Sequence, residues 1–294
     1  MKILFIGCVE SSKKFLETLI NAGAEIAGVI TKEESLQNAD FVNLAPIAIE
    51  KGIECKFVKN INDANSIEFI KSVKPDIGFC LGWSQLIRRE VLDLFPKGVI
   101  GFHPAALPQN RGRHPIIWAL VLGLNQTASS FFLMNEEADA GAILSQEPIE
   151  IEYADNARTL YDKVMQVAQK QLTELWKDLC EEKVCSIVNR DIKGNVWRKR
   201  NRQDGKIDWR MSSRSIYNLV RGLSEPYVGA HFEYNNQEYK VWRVQECKKK
   251  GFDNMEPGKI LWINSDSSFA VKAGENIIEV LEYDNFEPTL NLYL

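Results

Sequence analysis

Over its first 103 residues the chain alternates short apolar runs with amphipathic helical runs, and few folds accommodate that rhythm. Lys2–Cys8, Glu25–Thr31, Ile53–Val58, Asp76–Leu81 and Val99–His103 read as buried strands, each short and rich in β-branched or aromatic residues. Between them lie helical patterns: one capped by Ser12 with Phe15, Leu16, Leu19 and Ile20 on one face, then Phe41–Glu50 ended by Lys51-Gly52, then Ala64–Val73 stopped near Pro75. Such alternation predicts an α/β fold, a Rossmann-like, mostly parallel sheet covered on both faces. Ligands in these sheets bind beyond the carboxyl ends of the strands. Attention therefore falls on the loops after Ile6, Leu81 and Phe102; the first lacks the G-x-G-x-x-G pattern of a dinucleotide site.

Farther along, Ile116–Leu122 and Leu160–Trp176 read as helices, and Ala128–Met134 and Ala142–Ile151 as strands. After Cys185 the texture changes to alternating runs at Tyr227–Tyr234, Glu238–Gln245, Lys259–Ile263 and Ile277–Tyr283, with turn residues between them. We expect two domains, residues 1–190 and a smaller, mainly β domain over 191–294. The net charge of −4 divides into −5 for the first and +1 for the second, so neither carries the basic excess of a dedicated nucleic-acid binder. No run reaches membrane-spanning length and no secretory leader is visible, which predicts a cytoplasmic enzyme. The six cysteines form no Cys-x-x-Cys pair; they are expected to be buried thiols, with no metal site.

Of three histidines, His103 stands at a predicted strand end and so faces the mouth of the sheet, although a hydrogen-bonded structural histidine would serve the same position. Asp139 follows 36 positions later in the turn Asn135–Gly141, where an aspartate beside a glycine is ordinary turn chemistry. Alone each is a weak candidate; an imidazole oriented by a carboxylate can nonetheless donate to a developing oxyanion and relay a proton.

Gly98-Val-Ile-Gly-Phe-His103-Pro-Ala-Ala-Leu-Pro108-Gln-Asn-Arg-Gly112 and Asp139-Ala-Gly141-Ala-Ile143 resemble the paired motifs of formyltransferases that use 10-formyltetrahydrofolate, including the interval between them. The resemblance implies a formyltransferase fold with His103 and Asp139 as catalytic residues. It implies a folate site built from Trp83, Ser84, Gln85, Leu86 and Ile87 with Met134, Asn135, Glu136 and Asp139. One position departs: the family's Asn two residues before the histidine is Gly101 here, and Asn110 or a backbone N–H could stand in for it.

The C-terminal segments Arg198-Lys-Arg-Asn-Arg-Gln-Asp-Gly-Lys-Ile-Asp208-Trp209, Val220-Arg221-Gly222 and Pro226–Ala230 are similar to those of sugar and methionyl-tRNA formyltransferases. The closer similarity is to enzymes that formylate amino sugars on nucleotides. It implies a UDP- or dTDP-linked amino-deoxy sugar as acceptor, destined for surface glycans such as pseudaminic-acid-type sugars. Asn110, Arg111, Arg198, Arg200, Arg202 and Tyr227 would bind it, the arginines clasping a diphosphate. A homodimer is compatible with this reading. Methionyl-tRNA formyltransferase is the alternative acceptor class, and Gly101 motivates a second alternative, a folate-binding module without transferase activity.

Overall fold

Strand β1 (Lys2–Ile6) is apolar on both faces, with Ile3 to Ile6 wholly shielded from solvent, as a strand must be when helices cover both sides of its sheet. The structure, a computed structural model, describes residues 1–35, 40–184 and 194–294. In it β1 pairs in parallel with β2 (Glu25–Thr31), which pairs in parallel with β3 (Cys55–Phe57). On its other side β1 pairs with β4 (Ile77–Cys80), and β4 with β5 (Val99–His103), again in parallel. A two-residue strand β6 (Arg111–Gly112) leaves this sheet, after which β7 (Gln126–Leu133) runs antiparallel to β5 and β8 (Ile143–Glu150) takes the edge. The order is β3-β2-β1-β4-β5-β7-β8. Helices α1 (Glu10–Asn21), α2 (Ala45–Glu50), α3 (Ala64–Val73), α4 (Arg89–Leu92), α5 (Pro115–Val121) and α6 (Ala157–Cys180) lie along the same stretch of chain. Strand β9 (Val196–Trp197) pairs in parallel with β6.

The second sheet contains β10 (Ala230–Tyr234), β11 (Gln237–Cys247), β12 (Ile260–Ile263), β13 (Phe269–Lys272) and β14 (Ile277–Tyr283), ordered β10-β11-β14-β13-β12 with every pair antiparallel. Helix α7 (Ser213–Leu223) contributes Ile216, Leu219, Val220 and Leu223 to the core of that sheet, where Phe286 meets Phe232 edge-on at 5.0 Å. The sequence reading missed α7 and β13, although Ser212 caps α7 by accepting from the Ser215 N–H.

Two expectations are corrected. Ser12 is not the cap of α1, which begins at Glu10; its hydroxyl sits in the first turn, accepts from the N–H of Cys8 and Val9, and donates to Leu81 O at 2.6 Å. Phe41 and Val42 are not helical, because both pair with the loop after β1, and α2 starts only at Ala45, with proline in its first turn. The described chain groups into two compact units. One comprises Met1–Pro115, Thr127–Ile149 and Lys163–Trp197, the other Ile116–Gln126, Glu150–Asp162 and Arg198–Leu294. The boundary expected between residues 190 and 191 lies outside the described residues. Among those described, no helix is long and apolar enough to cross a membrane.

Strand order reverses between β1 and β4, which opens the crevice where such sheets take ligands. Its walls are close: a Cβ at Gly7 would stand 2.5 Å from Leu81 O and 2.6 Å from Ser12 Cβ. Gly7→Ala is therefore expected to cost about 1–3 kcal/mol of stability in urea unfolding; an unchanged midpoint would mean the crevice has room to spare.

Candidate active site

His103 closes β5 and is 5% exposed. Its Nε2 lies 2.8 Å from Asn110 O, and its Nδ1 lies 3.6 Å from Asp139 Oδ2. A carbonyl oxygen only accepts, so the first contact places a proton on Nε2. Asp139 Oδ2 also accepts from the Gly112 N–H at 2.9 Å, which joins the loop after β5 to the loop between β7 and β8. Sequence reasoning chose Asn110 for its side chain, but the part that meets His103 is its carbonyl.

The backbone makes this arrangement with unusual torsions. Asn110, His114 and Asp139 have φ of 60°, 57° and 55°, in the left-handed region that asparagine and aspartate tolerate best. Gly141 is required by close approach, since a Cβ there would fall 1.5 Å from Leu133 O. The loop 108–113 is strapped by residues 194–197. Asn195 Oδ1 accepts from Asn110 N–H, Asn195 O from Arg111 N–H and Trp197 O from Arg113 N–H. Asn195 carried no signal in the sequence, because its partners lie about 85 residues away.

Gly101 faces apolar atoms. A Cβ at this position would be 2.8 Å from Phe132 Cζ and 3.0 Å from Met134 Cγ. Phe132 packs with Leu107, Ile143 and Met134, so the space a longer side chain would use is filled.

The segment Trp83–Ile87 follows β4 and is tied to residues 59–62: Gln85 accepts from Ile61 N–H and donates to Lys59 O, and Leu86 O accepts from Asn62 Nδ2. Arg113 donates to Ser84 O at 3.1 Å, so this loop and the histidine loop belong to one site. Ile87 is buried, Leu86 is exposed, and Lys32 Nζ lies 5.0 Å from the Trp83 ring centroid. Trp83 Nε1 is buried with no hydrogen-bond acceptor among the described residues, a donor free for a ligand. Met134 extends the sheet by donating its N–H to Val99 O. Asn135 Oδ1 accepts from Glu137 N–H, and Glu136 is exposed. Arg111 pairs with Glu137 Oε1 at 2.7 Å.

Cys8 and Cys80 border the crevice. Burial pushes the Cys8 thiol up to about 11 and that of Cys80 up to about 12, so both stay protonated at neutral pH and neither serves as a nucleophile.

The remaining candidates lie in the second unit. Arg198 grips Asp204 with two nitrogens, and that hydrogen bonding holds the carboxyl well below the usual carboxylate range. Arg200 is buried, stacks 4.6 Å from the Trp118 ring centroid and donates to Asp204 O. Arg202 reaches Glu233 and Glu238. Tyr227 lines a groove of about 1060 Å³ with Tyr153, Tyr217 and Trp242. The structure thus gathers His103, Asp139, Asn110, Arg111 and the 83–87 loop in the first unit, and commits Arg198 and Arg202 to carboxylates in the second.

Because Phe132 and Met134 occupy the space beside Gly101, Gly101→Asn is expected to destabilise the protein by about 1–3 kcal/mol. Thermal unfolding checks this; a Tm equal to that of the unsubstituted protein would show that the two side chains yield.

Several known proteins resemble the chain. Methionyl-tRNA formyltransferase from Caldanaerobacter subterraneus subsp. tengcongensis is 29% identical over 287 residues, 96% of this chain and 91% of that protein. An N-formyltransferase from Helicobacter canadensis, solved with folinic acid and dTDP-3-aminofucose, superposes with a TM-score of 0.72 at 15% identity, covering 96% of this chain and 99% of that one. A HypX variant from Aquifex aeolicus gives a TM-score of 0.68 at 15% identity; the chain spans 44% of its length, with 96% of this chain covered. At such identities the two solved structures establish a shared fold. Residues 1–175 match the formyl transferase family and residues 199–285 match the formyl transferase C-terminal domain, and on a match over more than half of its length the chain belongs to the formyl transferase family.

Proposed function

We propose that the protein moves a formyl group from 10-formyltetrahydrofolate to the amine of an amino-deoxy sugar carried on UDP or dTDP. The observation that carries the reading is the buried His103, with a protonated Nε2 on one side and Asp139 facing Nδ1 on the other. The amine nitrogen attacks the formyl carbon, and the carbonyl electron pair moves onto oxygen. His103 Nε2–H donates to that oxygen as its charge grows. The pair then reforms the carbonyl, the bond from carbon to the folate nitrogen breaks, and the proton lost by the amine is relayed to that nitrogen. Asp139, facing Nδ1, keeps the imidazole oriented through the step. Trp83, with its unmatched buried N–H, and the backbone of residues 84–87 would hold the folate, as would residues 134–136.

Gly101 supplies no second side-chain donor, and loss of one such donor typically costs about 10²–10³ in rate. In this reading the imidazole acts largely alone, and the enzyme is slower than a relative with an asparagine there.

Charge weighs against a tRNA acceptor. A tRNA partner needs a surface of unmatched cations to displace counterions from phosphates. In the second unit Arg198, Arg202, Arg214 and Arg243 are paired with Asp204, Glu233, Glu246 and Glu282, and Lys206 and Lys240 with Glu233 and Glu238. The likeness in fold to a protein solved with dTDP-3-aminofucose points the same way. The 29% identity to a methionyl-tRNA formyltransferase keeps initiator tRNA as the second reading.

The test is a mass-spectrometric assay with 10-formyltetrahydrofolate, a panel of UDP- and dTDP-linked amino sugars and charged initiator tRNA. A formyl adduct on one nucleotide sugar is expected. An adduct on tRNA alone would replace the acceptor, and folate binding without any product would favour a binding module. His103→Ala should lower kcat/KM by about 10²–10⁴ with folate affinity little changed, and Asp139→Asn should also slow turnover; wild-type kinetics in either variant would remove that residue from the mechanism.

A further inference from the structure

Beyond His103 the chain leaves the sheet, and the carbonyls of residues 104–107 lose the strand partners that β5 enjoyed. Three of them are met by side chains from the neighbouring strands. Thr127 Oγ1 donates to Pro104 O at 3.3 Å, Ser130 Oγ to Ala105 O at 2.6 Å, and Gln146 Nε2 to Leu107 O at 3.0 Å. Ser130 stands directly opposite His103 in the pairing of β5 with β7 and is wholly buried. Gln146 Nε2 also donates to Ser130 Oγ at 2.8 Å. The serine oxygen thus accepts on one side, which leaves its own hydrogen directed at Ala105 O.

From these contacts we propose that Ser130, oriented by Gln146, is a positioning residue for His103. Residues 104–109 connect His103 to Asn110, and the 2.8 Å contact between His103 Nε2 and Asn110 O is the separation this connector sets. The shortest of the three bonds falls near its middle, at Ala105, which is also fully buried. Without the hydroxyl, a buried carbonyl would lack a partner and the connector would shift to find one. The imidazole at one end and the Asn110 carbonyl at the other would then move relative to Asp139. A displacement of about 1 Å at a reacting group costs on the order of 100-fold in rate.

The adjacent residue supplies a control of matched burial. Ser129 is equally shielded, but it points to the other face of β7 and donates to Gln171 Oε1 at 2.5 Å; Gln171 in turn donates to Ser145 Oγ. Removing that hydroxyl disturbs a buried network of similar size on the face away from the histidine loop.

The experiment uses the full chain labelled with 15N-histidine, with the His103 resonances identified by their loss in His103→Gln. Two readouts are taken: the long-range 1H–15N pattern of His103 without substrate, and formyl transfer to the acceptor that the assay above identifies, the second resting on the proposed function. Ser130→Ala is expected to displace the His103 Nε2 resonance from its protonated position. It is also expected to lower kcat roughly 10–100-fold, within the range of misplaced catalytic groups, with KM for the folate nearly unchanged. Ser129→Ala should leave both readouts at wild-type values. Gln146→Leu, which keeps the serine, should reproduce part of the effect and add little in combination with Ser130→Ala, as coupled residues do; it stands in should Ser130→Ala not fold. A His103 pattern identical to wild type in both Ser130→Ala and Gln146→Leu overturns the proposal, as does an equal loss of kcat in Ser129→Ala. A displaced resonance in a protein that formylates nothing would sink the proposed function and leave the positioning role standing.

Discussion

The antiparallel pairing of β5 with β7 is the constraint on which the site depends. It sets His103 opposite Ser130 and Gly101 opposite Phe132, and brings Met134 N–H to Val99 O at its far end. A slip of one residue would turn every side chain of β7 to the other face. Ser130 would then lose the histidine loop, and Phe132 would vacate the space beside Gly101. On the histidine face Ser130 bonds to Ala105 O and accepts from Gln146, while on the other face Ser129 bonds to Gln171, which donates to Ser145 Oγ. The seryl pair in the middle of a buried strand costs apolar area, but Ser130 satisfies a loop carbonyl that would otherwise lie orphaned and Ser129 satisfies the buried Gln171 side chain.

Much of the first unit could be read from sequence because its signals are local. Val99–His103 and Ala64–Val73 match β5 and α3 to the residue, since a run of buried apolar residues and a capped amphipathic repeat each announce their own ends. His103 and Asp139 were found by their motifs, and they do face each other. What could not be read depends on partners distant in sequence. Ser12 resembles a helix cap, yet its hydroxyl answers Leu81 O across the crevice. Asn110 was chosen as a side-chain donor, yet a positive φ turns its carbonyl to the histidine. The apolar filling beside Gly101 comes from Phe132 and Met134 on another strand, and no spacing rule predicts it.

The arginine run of the second unit shows how a sequence count misleads about charge. Arg198, Arg200 and Arg202 within five residues suggest a phosphate clasp. The folded chain places Asp204 beside the first and Glu233 and Glu238 beside the last, while burial against Trp118 takes the middle one from solvent. Exposed pairs of this kind contribute little to stability. Their effect is on the field, which they flatten over a surface that the linear sequence presents as basic.

The carbonyl of Asn110 has one further consequence. In the resting protein it already gives His103 Nε2 a neutral acceptor at 2.8 Å. In the proposed reaction a formyl oxygen taking its place would exchange one uncharged carbonyl for another, so the imidazole would add almost nothing to the affinity for bound substrate. Only when that oxygen acquired negative charge would the hydrogen bond become charge-assisted and stronger than the one it replaced. An internal stand-in for the substrate would thus cancel the ground-state contribution and leave the part that lowers the barrier.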